Sequence, residues 1–287
     1  MHFASGDAVF TGLALGLVAQ LLVQTPRGRS RVVTRRAAGW LAAIGVVLIV
    51  LSSTPLAGWQ SLGLAAACWP LAACLWTRGH RGPWLRGGLA AYAALAGVIA
   101  VDEVRPTRGG AASPGLSDAP IYVIGDSLSA ADTDPRAVAW PQMLSDKGLN
   151  VVNLAHVGAT ARSALQQVER IPRGPALVVL LIGGNDILGT TSASAFERDL
   201  SDLLAKASGP ERVLVLFELP LPPLFHAYGA AQRRQSRAHG ALLITKRRLS
   251  RIFCAAGATL DGIHLSNAGQ RLLAVEVEKI LSAGREE

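Results

Sequence analysis

Hydrophobic and polar positions divide this chain in two. Up to about residue 104 the apolar runs are long and almost uncharged. Beyond residue 120, short apolar runs alternate with stretches of helical periodicity. The first part contains four apolar segments, about 8–24, 38–54, 58–76 and 87–103. Each is near the short end of the roughly 17–25 residues that cross a bilayer as a helix. Their boundaries are soft around Ser52-Ser-Thr-Pro55 and at Pro70. The first segment lacks the basic n-region of a signal peptide and is followed by further apolar runs, so it is expected to be retained. Burial of these segments as helices of a soluble domain is the weaker reading, because they carry so little charge.

In the second part the strand candidates are 120–125, 150–155, 176–182 and 212–218, with a shorter one at 241–245. Helical patterns fall near 137–147, 160–170, 193–207, 228–239 and 266–282. Strands separated by single helices predict an α/β domain with a parallel sheet covered on both faces. Arg105-Pro-Thr-Arg-Gly-Gly-Ala-Ala-Ser-Pro-Gly115 reads as a linker. The expected layout is therefore a transmembrane region of about four helices (1–104), a linker (105–119) and one globular domain (120–287). No internal repeat is evident.

Charge sharpens this picture. The net charge of +8 suggests nucleic acid until it is divided along the chain. Residues 1–105 carry nine Lys/Arg and three acids, and residues 106–287 carry nineteen and seventeen. Most of the excess belongs to loops between apolar segments, which argues against a nucleic-acid partner. Arg27, Arg29, Arg31, Arg35 and Arg36 lie between the first two segments, and Arg78, Arg81 and Arg86 between the last two. The positive-inside rule places both loops in the cytoplasm and both termini outside. Three cysteines give neither a disulfide framework nor a zinc spacing, and no metal or organic cofactor is expected.

The chemistry lies in four blocks. In Ile121-Tyr-Val-Ile-Gly-Asp-Ser-Leu-Ser129 an apolar run stops at Gly125 and a serine follows two residues later. That places Ser127 on the turn after a strand, at the start of a helix. Alone, Gly-Asp-Ser is more often a helix cap. Three further blocks change the balance: Asn153-Leu-Ala-His-Val-Gly158, Gly183-Gly-Asn-Asp186 and Asp261-Gly-Ile-His264. A serine hydroxyl needs a base within hydrogen-bond reach. Among six histidines, only His264 has a carboxylate three residues before it and a helix start just after it. Asp261 can accept its Nδ1 proton and leave Nε2 free for the serine proton. The Gly158 backbone N–H, the Asn185 side chain and the Ser127 N–H are the candidate oxyanion donors.

The order of these blocks resembles the SGNH, or GDSL, hydrolases, over most of residues 120–282. Ala139-Trp-Pro141 and Val151-Val-Asn-Leu-Ala155 are further similar to the periplasmic thioesterase/lysophospholipase/arylesterase branch. The resemblance implies a flavodoxin-like three-layer α/β/α fold. It implies a Ser127–His264–Asp261 triad with an oxyanion hole of Ser127, Gly158 and Asn185, and hydrolysis of carboxylic esters or thioesters of lipid-like acyl groups. Leu265 and Ser266 follow His264 where that branch commonly has a proline. An O-acetylesterase or acyltransferase acting on a cell-envelope glycan is the alternative, and an inactive binding module of the same fold is the alternative of another class.

Two features bear on substrate and partners. The loop Leu219-Pro-Leu-Pro-Pro-Leu-Phe-His-Ala-Tyr228 offers Leu221, Phe225 and Tyr228 as acyl contacts, or packs down as core. Arg233, Arg234, Arg237, Lys246, Arg247, Arg248 and Arg251 form a basic cluster. It reads either as solvated surface or as a contact for anionic lipid heads or glycan. The expected partners are an acyl ester substrate and membrane lipids. The sequence leaves the oligomeric state open.

Overall fold

The computed structural model describes residues 2–24, 31–76, 82–105, 119–130 and 137–283. The expected linker lies almost wholly outside the described residues. Four long helices come first: α1 (Asp7–Gln24), α2 (Arg31–Leu51), α3 (Gly58–Trp76) and α4 (Gly82–Val104). There follow β1 (Ile121–Gly125), α5 (Ser127–Ala130), α6 (Trp140–Asp146), β2 (Val151–Asn153), α7 (Leu165–Val168), β3 (Ala176–Leu181), α8 (Gly184–Leu188), α9 (Ala193–Ala207) and β4 (Arg212–Phe217). The chain continues through α10 (His226–Ala238), β5 (Leu242–Ile244), α11 (Lys246–Phe253) and α12 (Asn267–Ala283). These elements form two units, one of residues 2–105 with 221–226, the other of residues 106–220 with 227–287.

In the helical unit large apolar side chains also face outward. Trp40, Leu62, Trp69 and Trp84 are 72–74% exposed, around an interior of Val9, Leu13, Leu64 and Ile99 that also buries Gln20. An outer surface of tryptophan and leucine suits a hydrocarbon solvent. Helices α1, α2 and α4 are long and apolar enough to cross a membrane. Helix α3 has 19 residues but contains Pro70. Small residues let the helices approach closely: a Cβ on Gly12 would lie 2.6 Å from the Gly45 carbonyl oxygen. Helix α2 begins earlier than the expected 38, since nothing in 31–37 breaks a helix. It ends at Leu51, where the Ser52 and Thr54 hydroxyls turn to the Gly6 carbonyl and the Ser53 hydroxyl to that of Ala4.

The second unit is a five-stranded, all-parallel sheet in the order β2-β1-β3-β4-β5. The apolar runs of β1, β3 and β4 are buried on both faces, as continuous β-branched and leucine runs require. Tyr122, Ile124, Val178, Leu180, Leu214 and Leu216 share one core with Phe196, Leu200, Leu203 and Leu204 of α9. Strand alternation turns Val123, Val179, Leu181, Val215 and Phe217 to the opposite face, where they are also buried. Ser192 caps α9 by accepting from the Ala195 N–H. The helical pattern near 160–170 yields only the single turn α7, and the short helices α8 and α11 lie where no helix was expected. Strand order reverses between β1 and β3, so their carboxyl ends open at a switch point, the usual ligand position in such sheets.

Candidate active site

Ser127 is the first residue after the β1 turn and is half-buried. Its turn is gripped from several directions. Gln167 accepts from the Gly125 N–H at 2.9 Å and donates to the Gly125 carbonyl at 2.9 Å. Gln270 of α12 donates to the Leu128 carbonyl at 3.1 Å and accepts the Trp140 N–H at 2.9 Å. The Trp140 indole donates to the Ser129 hydroxyl, and the Asn153 amide to the Ser129 carbonyl. These buried partners satisfy the backbone of a turn that would otherwise sit unpaired in the interior. Gly125 itself admits no side chain, since a Cβ there would lie 2.8 Å from the Ser129 hydroxyl and 2.9 Å from the Leu181 carbonyl oxygen.

The expected oxyanion donors stand on two adjoining turns. Gly158 follows β2 with φ +76, and no atom lies within 4 Å of where a Cβ would be. Asn185 opens α8 behind Gly183, whose φ is +113 and where a Cβ would meet the Phe196 ring at 2.9 Å. Only glycine fits both demands. The Asn185 amide donates to the Ala159 carbonyl at 3.0 Å. That bond ties the two turns together and uses one of its two N–H groups. Asp186, fully buried, completes the tie by accepting the Ala161 N–H at 2.8 Å. Burial pushes its carboxyl above the usual range, against the opposing effect of that bond.

The His264 ring lies 2.7 Å, Nδ1 to Oδ2, from Asp261. The other Asp261 oxygen accepts the N–H groups of Ile263 and His264 at 2.9 and 2.8 Å. The His264 backbone bond, its ring and the Ile263 N–H hold this carboxyl well below the usual carboxylate range. An ionised Asp261 fixes the tautomer with Nδ1 protonated and Nε2 free. A protonated His264 favours the ionised form of Asp126, the residue before Ser127.

The remaining expected residues divide. Leu221 is fully buried and Phe225 half-buried. The Tyr228 hydroxyl donates to the Thr191 carbonyl at 2.6 Å, and its ring packs against Phe196 at 5.6 Å between centroids. The basic cluster is largely dispersed. Arg233 and Lys246 are buried around Glu218, with Arg233 Nε 2.7 Å from Oε1 and Lys246 Nζ 3.6 Å from it. Burial opposes ionisation of Glu218, and the two cations more than offset it, so its pKa is lowered. Arg234 pairs with Glu197 and Arg248 with Glu276. Sequence reasoning missed Asp126, Gln167 and Gln270. A lone glutamine in a helix carries no pattern that marks it as a clamp.

Residues 123–272 match the model of the GDSL-like lipase/acylhydrolase family. The chain is 32% identical over 170 residues to esterase TesA of Pseudomonas aeruginosa, covering 53% of this chain and 83% of that one. It is 29% identical over 107 residues to thioesterase 1/protease 1/lysophospholipase L1 of Escherichia coli, spanning about half (51%) of that protein's length. Among solved structures, TesA superposes with a TM-score of 0.50 at 26% identity, covering 57% of this chain and 99% of that one. The psychrotrophic esterase EstA from Pseudoalteromonas, 20% identical, shares the fold with a TM-score of 0.53, covering 59% of this chain and all of that one. The family match spans all four sequence blocks, and the chain belongs to the GDSL-like lipase/acylhydrolase family.

Proposed function

We propose that this serine ester hydrolase is held in a membrane by its N-terminal helices and hydrolyses acyl esters or thioesters on the non-cytoplasmic side, through an acyl-enzyme on Ser127. The observation that carries the chemistry is the 2.7 Å contact of His264 Nδ1 with Asp261 Oδ2, which leaves Nε2 free, in a chain that sets Ser127 at the turn after β1. In the forward step Ser127 Oγ attacks the acyl carbonyl as His264 Nε2 takes its proton. The Ser127 N–H, the Gly158 N–H and the second Asn185 amide N–H receive the negative oxygen. His264 returns the proton to the leaving alcohol or thiol. Water then repeats the sequence on the acyl-enzyme and releases the carboxylic acid.

Exposed apolar side chains support an acyl substrate. Val157 adjoins Gly158, Ile263 adjoins His264, and Leu188 stands at the end of the helix that Asn185 opens. Each places solvent-facing hydrocarbon next to a proposed catalytic group. Tyr228 is tied to the Thr191 carbonyl through its hydroxyl.

Anchoring rests on the exposed tryptophan and leucine of the helical unit and on its three long apolar helices. With α3 inside the membrane beside three apolar helices, the arginines of 27–36 and 78–86 share the cytoplasmic side and the catalytic domain lies opposite. The test of chemistry is Ser127→Ala, expected to abolish ester hydrolysis and fluorophosphonate labelling. A variant that still hydrolyses at the parent rate rules out the acyl-enzyme on Ser127. A phosphatase reporter fused after residue 110 is expected to be active. An inactive one, beside a bright cytoplasmic fluorescent fusion, reverses the topology.

A further inference from the structure

Asp126 stands between the nucleophile and the oxyanion turn and belongs to neither triad nor hole. It is 2% exposed. Its Oδ1 accepts the Leu128 N–H at 3.1 Å, inside the nucleophile turn. The backbone of Gly184, the residue just before Asn185, faces the same carboxylate and favours its ionised form. The junction is tight: a Cβ on Gly184 would lie 3.2 Å from Asp126 Oδ2. One side chain thus joins the end of β1 to the end of β3 at the level of the reacting groups.

We propose that Asp126 is a positioning residue whose ionised carboxylate, by holding Leu128 and Gly184 at once, fixes the separation between Ser127 and the Asn185 donor. The inference rests on the reading of Ser127 as nucleophile. A cap for Leu128 alone would not need a charge, since serine or asparagine serves. Here Oδ1 takes the Leu128 N–H while Oδ2 lies beside Gly184, so each turn meets its own oxygen, and a carboxylate supplies two acceptor oxygens where an amide supplies one. That arrangement has a cost. Burial pushes the Asp126 carboxyl up to about 6, opposed by the Leu128 and Gly184 N–H bonds and by the charge of His264. The neighbouring elements define its surroundings. The loop before α12 contributes His264, the charged group that acts on it, and α8 contributes the backbone of Gly184.

Protonation below that value turns one acceptor oxygen into a hydroxyl and releases one turn. Activity then falls on the acid side through an ionisation at Asp126. Stability moves the other way. A carboxyl whose pKa is raised on folding binds its proton more tightly in the folded state, so ionising it costs stability as pH rises from about 4 to about 6.

Asp126→Asn in the full chain, purified in detergent, tests this. The amide keeps one acceptor for Leu128 and presents N–H to Gly184. The expected result is a kcat lower by roughly 10–10²-fold with KM changed less than about threefold. The acid-limb ionisation of Asp126 should be lost, and the melting temperature at pH 8 should be no lower than the parent's. Parent-like kcat and pH profile overturn the proposal. So does a lowered melting temperature with kcat retained, which would make Asp126 a structural cap. Gly184→Ala, which crowds the same junction from the other side, should repeat the kcat loss and keep that ionisation, and parent-like turnover in it also overturns the proposal. Ser127→Ala run alongside separates the two failures. Loss of labelling there with parent-like Asp126→Asn sinks only the positioning role, whereas an active Ser127→Ala sinks the nucleophile assignment beneath it.

Discussion

The turn that carries Ser127 and the loop that carries His264 differ in what holds them. Residues 125–130 are mostly buried and tied by side chains from distant parts of the chain: Gln167 from α7, Asn153 from β2, Trp140 from α6 and Gln270 from α12. Residues 261–264 are mostly exposed and are organised chiefly from within, by Asp261 accepting from Ile263 and His264. An antiparallel bridge between Thr259 and Leu265 closes the loop. The difference follows the tasks. Developing negative charge is best met by donors fixed before the reaction, in a site where reorganisation is small. A base must exchange protons with water in each half-reaction, and exposure serves that. Fixing the nucleophile therefore draws on the stability of the whole domain, while the base draws on a local turn.

Substitutions can break that comparison. His264→Ala is expected to cost the most, about 10⁴–10⁶ in kcat, with an unchanged melting temperature because the loop holds itself. A large melting shift would show that the loop is structural after all. Asp261→Asn comes next, at about 10³–10⁴ in kcat, from loss of the correct imidazole tautomer. Its ionisation should not shape the activity profile above about pH 4. The carboxyl is depressed on folding, so its support of the loop is complete above the unfolded value of about 3.9 and lost only as pH falls through the folded one. An activity transition near pH 5 that vanishes in Asp261→Asn would contradict this.

Asn185→Ala should reduce kcat by about 10²–10³ with little change in KM, the expected loss for one oxyanion donor. Its bond to the Ala159 carbonyl also goes, so a melting loss of a few degrees should accompany it, unlike the base variants. A pure rise in KM would assign Asn185 to ground-state binding. Gln167→Leu sharpens the other arm. It removes the Gln167 acceptor from the buried Gly125 N–H and leaves the Gly125 carbonyl with the His156 N–H alone, which should cost about 1–3 kcal/mol of stability. The folded fraction should retain kcat to within about tenfold. Loss of activity without loss of stability would mean that Gln167 acts on the chemistry directly.

Much of this molecule was legible in its residues. Period and run length predicted all five strands, and alternation with helices predicted their parallel order, because a parallel crossover needs an intervening helix. The four blocks could be read because each joins a rare chemical type to a strand end or a loop. The basic cluster was a different matter. Seven cations within 233–251 read alike along the chain, yet two of them are buried on Glu218, which sits directly after β4. Only the crossing of α10 and α11 at that strand end decides which charges meet solvent. The same holds for Gln167 and Gln270, 42 and 142 residues from the Gly125 and Leu128 carbonyls that they serve. Sequence fixes local geometry through periodicity, glycine and chemical type, all of which act within a few residues. Which donor faces which acceptor across the sheet is set by packing of elements far apart in the chain. For that reason the nucleophile and base were readable, and the clamps that hold them, Asp126 among them, were visible only once the chain had folded.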